Sequence, residues 1–108
     1  MNRFEDDRGV IQDLLGKIDA VTEIFTKAGS VRGNHIHMKT DQWTYVVSGS
    51  IQTADNSIYT ARSFFLEKAG KPHAWAALED TVTLVFTRGP RSGEDYESDV
   101  VRLDERLL

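Results

Sequence analysis

The chain has 108 residues, a formal net charge of −4 and no cysteine. This size predicts a single domain over residues 1–108, the acidic balance argues against a nucleic-acid partner, and the lack of cysteine excludes disulfides and thiolate metal sites. No apolar run approaches the roughly 20 residues of a membrane span, and the charged first nine residues are unlike a secretory signal, so we expect no membrane contact and a cytoplasmic protein.

Short apolar segments bounded by turn residues follow one another along the chain, which predicts strands rather than helices. A predicted turn at residues 29–33 and a polar loop at 88–98 interrupt them, and residues 100–108 suit a last strand or a helical turn. The pattern is typical of an all-β sandwich or barrel. The predicted strands cover residues 10–15, 20–26, 35–38, 43–47, 51–53, 58–60, 64–66, 75–78 and 81–87.

The three histidines of the chain form the most distinctive pattern. His35 and His37 are two residues apart on a predicted strand, so their side chains leave the same face. His73 lies just before another predicted strand, residues 75–78. Three imidazoles that converge would bind Fe, Mn, Ni, Zn or Cu and leave coordination positions open for a substrate. The alternative is a surface pair and an isolated loop histidine.

The spacing around the first two histidines resembles the first motif of the cupin superfamily. Gly29, five residues, His35-Ile36-His37, four residues, Gln42, six residues and Gly49 follow that motif. Cupins fold as a small jelly-roll β-barrel, so the resemblance implies this fold, with both motifs inside residues 29–77.

The second cupin motif ends in Gly-x-x-His, which Gly70 and His73 match. The resemblance implies that all three histidines are metal ligands. Lys68 and Ala77 depart from the family pattern, which has Pro and often Asn at these positions.

Gln42 stands where the family has a glutamate ligand. A neutral amide oxygen is a weaker metal ligand than a carboxylate, so the site loses one negative charge. Asp41 is a lesser candidate, because strand alternation points it away from the side of Gln42.

A shorter stretch resembles the cupin-type sugar-nucleotide ketoisomerases and related sugar-modifying proteins. Arg32-Gly33-Asn34-His35-Ile36-His37 is similar to their Arg-Gly-x-His-x-His segment. This resemblance implies metal-free proton transfer by His35 and His37, with Arg32 near the phosphate.

An apolar outer surface is predicted by the same alternation. If His35, His37 and Gln42 face inward, then Ile36, Trp43, Tyr45 and Val47 face outward, and such an area needs cover. Residues 10–15 of the same chain are one candidate for this cover. A second subunit is the other, and we expect a homodimer.

These observations predict an all-β, single-domain cupin jelly-roll β-barrel that binds a small molecule around one divalent transition metal. We expect a metal-dependent enzyme of the dioxygenase or isomerase type. The second hypothesis is a metal-free sugar-nucleotide ketoisomerase or epimerase, and the third is a non-catalytic ligand-binding or sensing cupin. The expected metal ligands are His35, His37, Gln42 and His73, and the expected substrate-binding residues are Arg32, Thr44, Val46, Trp75 and Phe86.

Overall fold

A computed structural model describes residues 2–89 and 99–108 of the chain. The described residues form short strands joined by tight turns, as the alternating sequence predicts. The strands are β1 Arg3–Asp6, β2 Gly9–Gln12, β3 Ala20–Thr26, β4 Val31–His37, β5 Asp41–Ser48, β6 Ser50–Thr53, β7 Ile58–Thr60, β8 Phe64–Glu67, β9 Pro72–Ala77, β10 Thr81–Arg88 and β11 Val100–Arg102.

Nine of these strands form two antiparallel sheets that face each other. The first sheet has the order β3-β10-β5-β8, and the second has the order β11-β4-β9-β6-β7. Val46 of the first sheet packs with Ile51, Trp75 and Ala77 of the second in a buried core. The all-β jelly-roll prediction is confirmed, although strand pairing among the described residues does not close a continuous barrel.

The first sheet carries its polar side chains on the inside. On β10, Thr81, Thr83, Val85 and Thr87 are buried between the sheets. The intervening Val82, Leu84 and Phe86 face outward and are half-buried. Phe86 therefore does not line the interior, contrary to the expectation that it belongs to the pocket wall, because strand alternation places it on the opposite face from Val85.

The outward surface also differs from the expected one. Trp43, Tyr45 and Val47 are on β5 of the first sheet, whereas Ile36 is on β4 of the second sheet, paired with Pro72 and Val101. The expected stripe of four residues is therefore divided between two sheets. Which sheet a strand joins depends on long-range pairing that alternation does not encode.

Several boundaries also differ from those predicted. Residues 3–6, for which no strand was predicted, pair with residues 9–12 as the β1–β2 hairpin. β4 begins at Val31, inside the predicted turn, because Gly33 and Asn34 adopt positive φ angles of 86° and 70° within a β-bulge rather than a turn. The predicted hairpin of β6 and β7 is confirmed. Most of the predicted loop, residues 90–98, lies outside the described part of the chain.

Candidate functional site

The structure brings the three histidines together between the sheets. His35 on β4 is directly paired with His73 on β9, and His37 is two residues further along β4. The ring centroids lie 4.5 Å apart for His35 and His73, 4.6 Å for His35 and His37, and 5.3 Å for His37 and His73. One nitrogen of each ring lies within 4.8 Å of the corresponding atoms of the other two.

A bulge in β4 determines how closely β4 and β9 approach each other. The register between β4 and β9 shifts between Gly33 and His35, where Gly33 has a φ of 86°. A Cβ atom at Gly33 would lie 3.0 Å from the His73 carbonyl oxygen and 3.2 Å from its ring Cδ2. Glycine is thus needed both for the backbone angle and for the space that His73 occupies.

Asp99 fixes one of these rings from the C-terminal segment. Its carboxylate is fully buried and lies 3.0 Å from Nδ1 of His37. The hydroxyl of Thr40 and the backbone N–H of Lys39 also donate to it. Burial by itself would raise the pKa of Asp99, but the hydrogen bonds from Thr40, His37 and Lys39 together outweigh it and hold the pKa below its usual range. Asp99 is therefore an ionised partner of His37.

A second carboxylate lies close to His73, although without the hydrogen-bond geometry of the His37–Asp99 pair. Glu67, the last residue of β8, places Oε2 2.6 Å from Nδ1 of His73, and both side chains are 10% exposed. His37 is thus hydrogen-bonded through Nδ1 to a buried acid and Nδ1 of His73 lies beside one, which leaves Nε2 as the other ring nitrogen of each.

His35 is the histidine without a carboxylate contact of this kind among the described residues. Its pKa is lowered from 6.5 to about 4, mainly because burial disfavours the charged ring and further because His73 and His37 are close. His35 is consequently neutral at physiological pH, when one ring nitrogen carries a proton and the other does not.

A cavity of about 200 Å³ opens beside the cluster. Among the residues expected at the site, Arg32, Gln42 and Trp75 line this cavity with the histidines. Thr44 and Val46 are fully buried and do not line it. Its lining residues are Ile24, Arg32, Gly33, His35, His37, Gln42, His73, Trp75 and Val85.

Two other candidates lie away from the cluster. Phe86 packs on the outer face of the first sheet, 6.3 Å from Phe64 between ring centroids. The Asp41 carboxylate accepts a hydrogen bond of 2.9 Å from the backbone N–H of Ala69.

Sequence reasoning missed both carboxylates. Glu67 shares the inward face of β8 with Phe65. A charged residue at a core-facing position of a predicted strand could have indicated that Glu67 belongs to the site. Asp99 gave no comparable signal, because it approaches His37 across 62 residues of sequence.

The donor set itself is compatible with a divalent transition metal. Metal-bound histidines commonly donate their second ring N–H to a carboxylate, as His37 is placed to do with Asp99. Gln42 lines the same cavity and offers an amide oxygen. A metal would be held by the three imidazoles and would act there as a Lewis acid.

No protein-family model matches the sequence, and the search of curated proteins gives no match. Solved structures do match. The capsular polysaccharide assembling protein CapF from Staphylococcus aureus is 21% identical over 96% of this chain and 34% of its own, with a TM-score of 0.64. The QdtA 3,4-ketoisomerase from Thermoanaerobacterium thermosaccharolyticum, a double mutant in complex with TDP, is 20% identical over 94% and 83%, with a TM-score of 0.67.

A third match is a sugar phosphate isomerase of the cupin superfamily from Silicibacter pomeroyi, 19% identical over 67% of this chain and 50% of that one, with a TM-score of 0.58. The chain therefore has the cupin fold that the histidine motifs imply. It spans about a third of the length of the CapF chain. In the part of the chain that the structure describes, no helix is long and apolar enough to cross a membrane.

Proposed function

We propose that this chain is a metal-free acid–base isomerase or epimerase that acts on a nucleotide-linked keto sugar. The observation that carries the proposal is the pair of histidine–carboxylate contacts, His37–Asp99 and His73–Glu67, beside one cavity. The similarity to a 3,4-ketoisomerase bound to TDP supports this substrate class.

Proton abstraction next to a carbonyl group requires a positioned base. With the Nδ1 proton of His37 donated to Asp99, Nε2 of His37 carries the lone pair and takes the proton from the carbon beside the ketone. The buried carboxylate then stabilises the imidazolium that forms, as in other histidine–aspartate pairs. The C–H bond breaks and its electron pair forms an enolate.

The second pair supplies the proton that the enolate needs. His73, whose Nδ1 lies 2.6 Å from Oε2 of Glu67, donates a proton to the sugar oxygen, and neutral His35 donates a hydrogen bond to the same oxygen. Return of a proton to the former carbonyl carbon, with loss of the hydroxyl proton of the original carbon to neutral His73, moves the ketone. Return of a proton to the original carbon on its other face, with loss of the enol O–H proton to His73, restores the ketone and inverts that carbon. Isomerase and epimerase chemistry thus share the first step.

Arg32 supports an anionic substrate. Its Nε and Nη2 donate to the Thr26 hydroxyl and the Phe25 carbonyl oxygen at 3.2 Å and 3.0 Å, which holds the guanidinium at the edge of the cavity. A held guanidinium is a preorganised ligand for a phosphate group, because little rotamer entropy is lost on binding.

The test is solvent hydrogen exchange. The full chain is incubated in D₂O with a dTDP-linked 4-keto sugar, and deuterium at the carbons beside the ketone is measured by mass spectrometry. We expect enzyme-dependent incorporation that His37→Asn reduces by about a thousandfold, while the exposed Ile58→Asn control retains it. Absence of incorporation, with binding of the nucleotide sugar retained, contradicts the proposal and favours the ligand-binding reading.

A metal-dependent cupin enzyme is the second candidate, because three imidazole nitrogens lie within 4.8 Å of one another. A bound ion would polarise a substrate oxygen or activate O₂. Elemental analysis of protein purified without a histidine tag separates the two candidates. One equivalent of transition metal that is lost in His35→Asn, His37→Asn and His73→Asn supports the metal reading, and exchange activity that survives chelation supports the metal-free one.

A further inference from the structure

Asn34 is the extra residue of the β4 bulge. From Gly33 to His35 the chain advances two positions along β4, while the paired strand β9 advances only one, from Ala74 to His73. Asn34 is therefore the position at which the two strands are out of step. Its φ angle of 70° lies in the left-handed region, which asparagine adopts more readily than most residues. The polar groups of this residue need hydrogen-bond partners from elsewhere in the fold.

The C-terminal segment supplies these partners. Beyond the end of β11, the backbone N–H of Leu103 donates to the Asn34 carbonyl oxygen at 3.1 Å. The Asn34 side chain binds three further backbone groups. Its Nδ2 donates to the carbonyl oxygens of Leu103 at 3.2 Å and Glu105 at 3.3 Å, and its Oδ1 accepts from the N–H of Leu107 at 2.8 Å. One side chain thus holds residues 103–107, which we call the C-terminal strap, against the bulge.

The strap also reaches the side of the cluster that His73 occupies. Leu107 lines a second cavity, of about 430 Å³, together with His73 and Glu67. The strap therefore runs from the residue that precedes His35 to the cavity wall next to His73. It contacts the surroundings of both members of the directly paired histidines.

A relaxed bulge would separate these two histidines. If the regular pairing before the bulge continued, Asn34 would lie opposite His73, and His35 would lie opposite Pro72. Because side chains alternate along a strand, this shift of one residue would move His35 and His37 to the outer face of the sheet. The observed pair of His35 and His73, with ring centroids 4.5 Å apart, therefore requires the extra residue.

We propose that Asn34 is a positioning residue of the candidate site: by binding the C-terminal strap it stabilises the bulge, and the bulge keeps His35 beside His73. For its effect on catalysis this role rests on the proposed function, because His35 can donate a hydrogen bond to the sugar oxygen only from inside the cavity. The location of the His35 ring does not depend on that chemistry and can be measured separately.

The variant that tests this role is Asn34→Gly. Glycine adopts a φ of 70° without strain but cannot bind the strap, so the side-chain contacts alone are lost. We expect the Leu103 amide to exchange with D₂O about tenfold faster, although its own hydrogen bond is to the backbone of residue 34. The NOE between the His35 and His73 rings should be lost. Deuterium incorporation into the keto sugar should fall on the order of a hundredfold.

The matched control is Asn56→Gly. Asn56 has the same φ of 70° and is exposed in the turn between β6 and β7. This variant should leave the Leu103 amide exchange, the ring NOE and the deuterium incorporation unchanged. A variant that is merely less stable keeps the ring NOE in its folded molecules, so this NOE separates positioning from stability.

Leu107→Pro tests the same contact from the strap. It removes the N–H that donates to Oδ1 of Asn34 and should weaken the ring NOE in the full chain. Because both changes break one contact, Asn34→Gly should have a smaller effect in the Leu107→Pro background than in the wild type.

Three outcomes overturn the proposal. They are unchanged Leu103 exchange in Asn34→Gly, faster exchange with an intact ring NOE, and an equal effect of Asn56→Gly. If the wild-type chain incorporates no deuterium, the proposed function fails, whereas the amide exchange and the ring NOE still decide whether Asn34 positions His35.

Discussion

His37 and Asp99 are 62 positions apart in the sequence, yet Nδ1 of His37 lies 3.0 Å from Oδ2 of Asp99. The contact depends on β11, which pairs antiparallel with β4 and brings Val100 opposite His37. The backbone N–H of Met38 also donates to the Asp99 carbonyl oxygen at 2.7 Å. The C-terminal segment is thus part of the site, because it carries the acid that orients one of its histidines.

Replacing Asp99 by asparagine should show separately how the carboxylate affects proton exchange by His37 and how it affects the free energy of unfolding. In Asp99→Asn the side chain keeps its shape but loses the charge that stabilises a His37 imidazolium, and its NH₂ group faces hydrogen-bond donors. We expect proton exchange to fall by about a thousandfold and the free energy of unfolding to fall by about 1–3 kcal/mol. Deuterium incorporation and urea unfolding measure the two effects.

The control for this variant is Asp104→Asn, an exposed position in the same C-terminal segment. It should leave both the exchange rate and the free energy of unfolding near the wild-type values. An Asp99→Asn protein that folds normally and exchanges at the wild-type rate would show that His37 does not act as the base.

Gly33 should be difficult to replace, because it lies against His73. Alanine there meets the His73 carbonyl oxygen at 3.0 Å in addition to adopting a positive φ. We expect Gly33→Ala to lower the free energy of unfolding by about 2–3 kcal/mol and to displace the His73 ring. Urea unfolding and the NMR shifts of the His73 ring report these changes.

Gly29→Ala is a matched control for the backbone cost. Gly29 has a φ of 85°, almost the same as that of Gly33, but a Cβ atom there meets nothing within 4 Å. Gly29→Ala should lower the free energy of unfolding only by the strain of the positive φ, about 1 kcal/mol. Equal losses in the two variants would mean that the contact with His73 is unimportant.

Acid should destabilise the fold through His35. Burial lowers its pKa from the ordinary 6.5 of the unfolded chain to about 4 in the folded chain, so between these values the unfolded chain binds more protons. The free energy of unfolding therefore falls as the pH drops from 6.5 toward 4, and this contribution is constant above and below that window. Because the ring is partly exposed, we expect a loss of about 2 kcal/mol.

Urea unfolding at a series of pH values measures this loss, with His35→Asn as the comparison. The variant lacks the titrating ring, so its unfolding free energy should fall less over the same window. Parallel profiles for the wild type and the variant would show that His35 titrates normally in the folded chain.

Strand alternation predicted part of the site. It placed His35 and His37 on one face, because the bulge at Gly33 precedes both histidines and leaves their two-residue spacing intact. The cupin resemblance, rather than alternation, added Gln42 and His73. The strand pairs that add Asp99 and Glu67 could not be predicted in this way. β11 meets β4 and β8 meets β5 through tertiary packing, and side-chain alternation contains no information on which strands become neighbours.

The same limit explains the residue placed on the wrong sheet. Ile36 and Trp43 both face outward, as alternation predicts, but they lie on different sheets because the chain crosses between β4 and β5. Phe86 was assigned to the wrong face of β10, because a strand that alternates threonine with larger apolar residues suggests that the apolar side is the interior. Here the larger apolar side chains lie on the outer side of the first sheet instead.

Gln42 lies directly opposite Glu67 in the antiparallel pair of β5 and β8. The position that carries a glutamate in the cupin pattern is thus neutral here, while a carboxylate stands on the adjacent strand and contacts His73. A carboxylate at position 42 would face Glu67 at the distance of a cross-strand pair, where like charges repel. The neutral amide avoids that repulsion while keeping an oxygen in the cavity.

Gln42→Glu should therefore distinguish the two candidate functions. In the metal-free protein the new negative charge stabilises protonated imidazole, so the pKa of His35 should rise from about 4 toward its ordinary value. If the histidines bind a metal, the carboxylate should instead strengthen divalent metal binding by about tenfold, since desolvation offsets part of its attraction for the ion. NMR titration of the histidine rings and metal titration measure the two effects.

The control is Gln12→Glu, which makes the same charge change on the exposed β2 strand and should alter neither the histidine titration nor the metal affinity. A Gln42→Glu protein with unchanged histidine titration and unchanged metal affinity would mean that this side chain does not interact with the cluster.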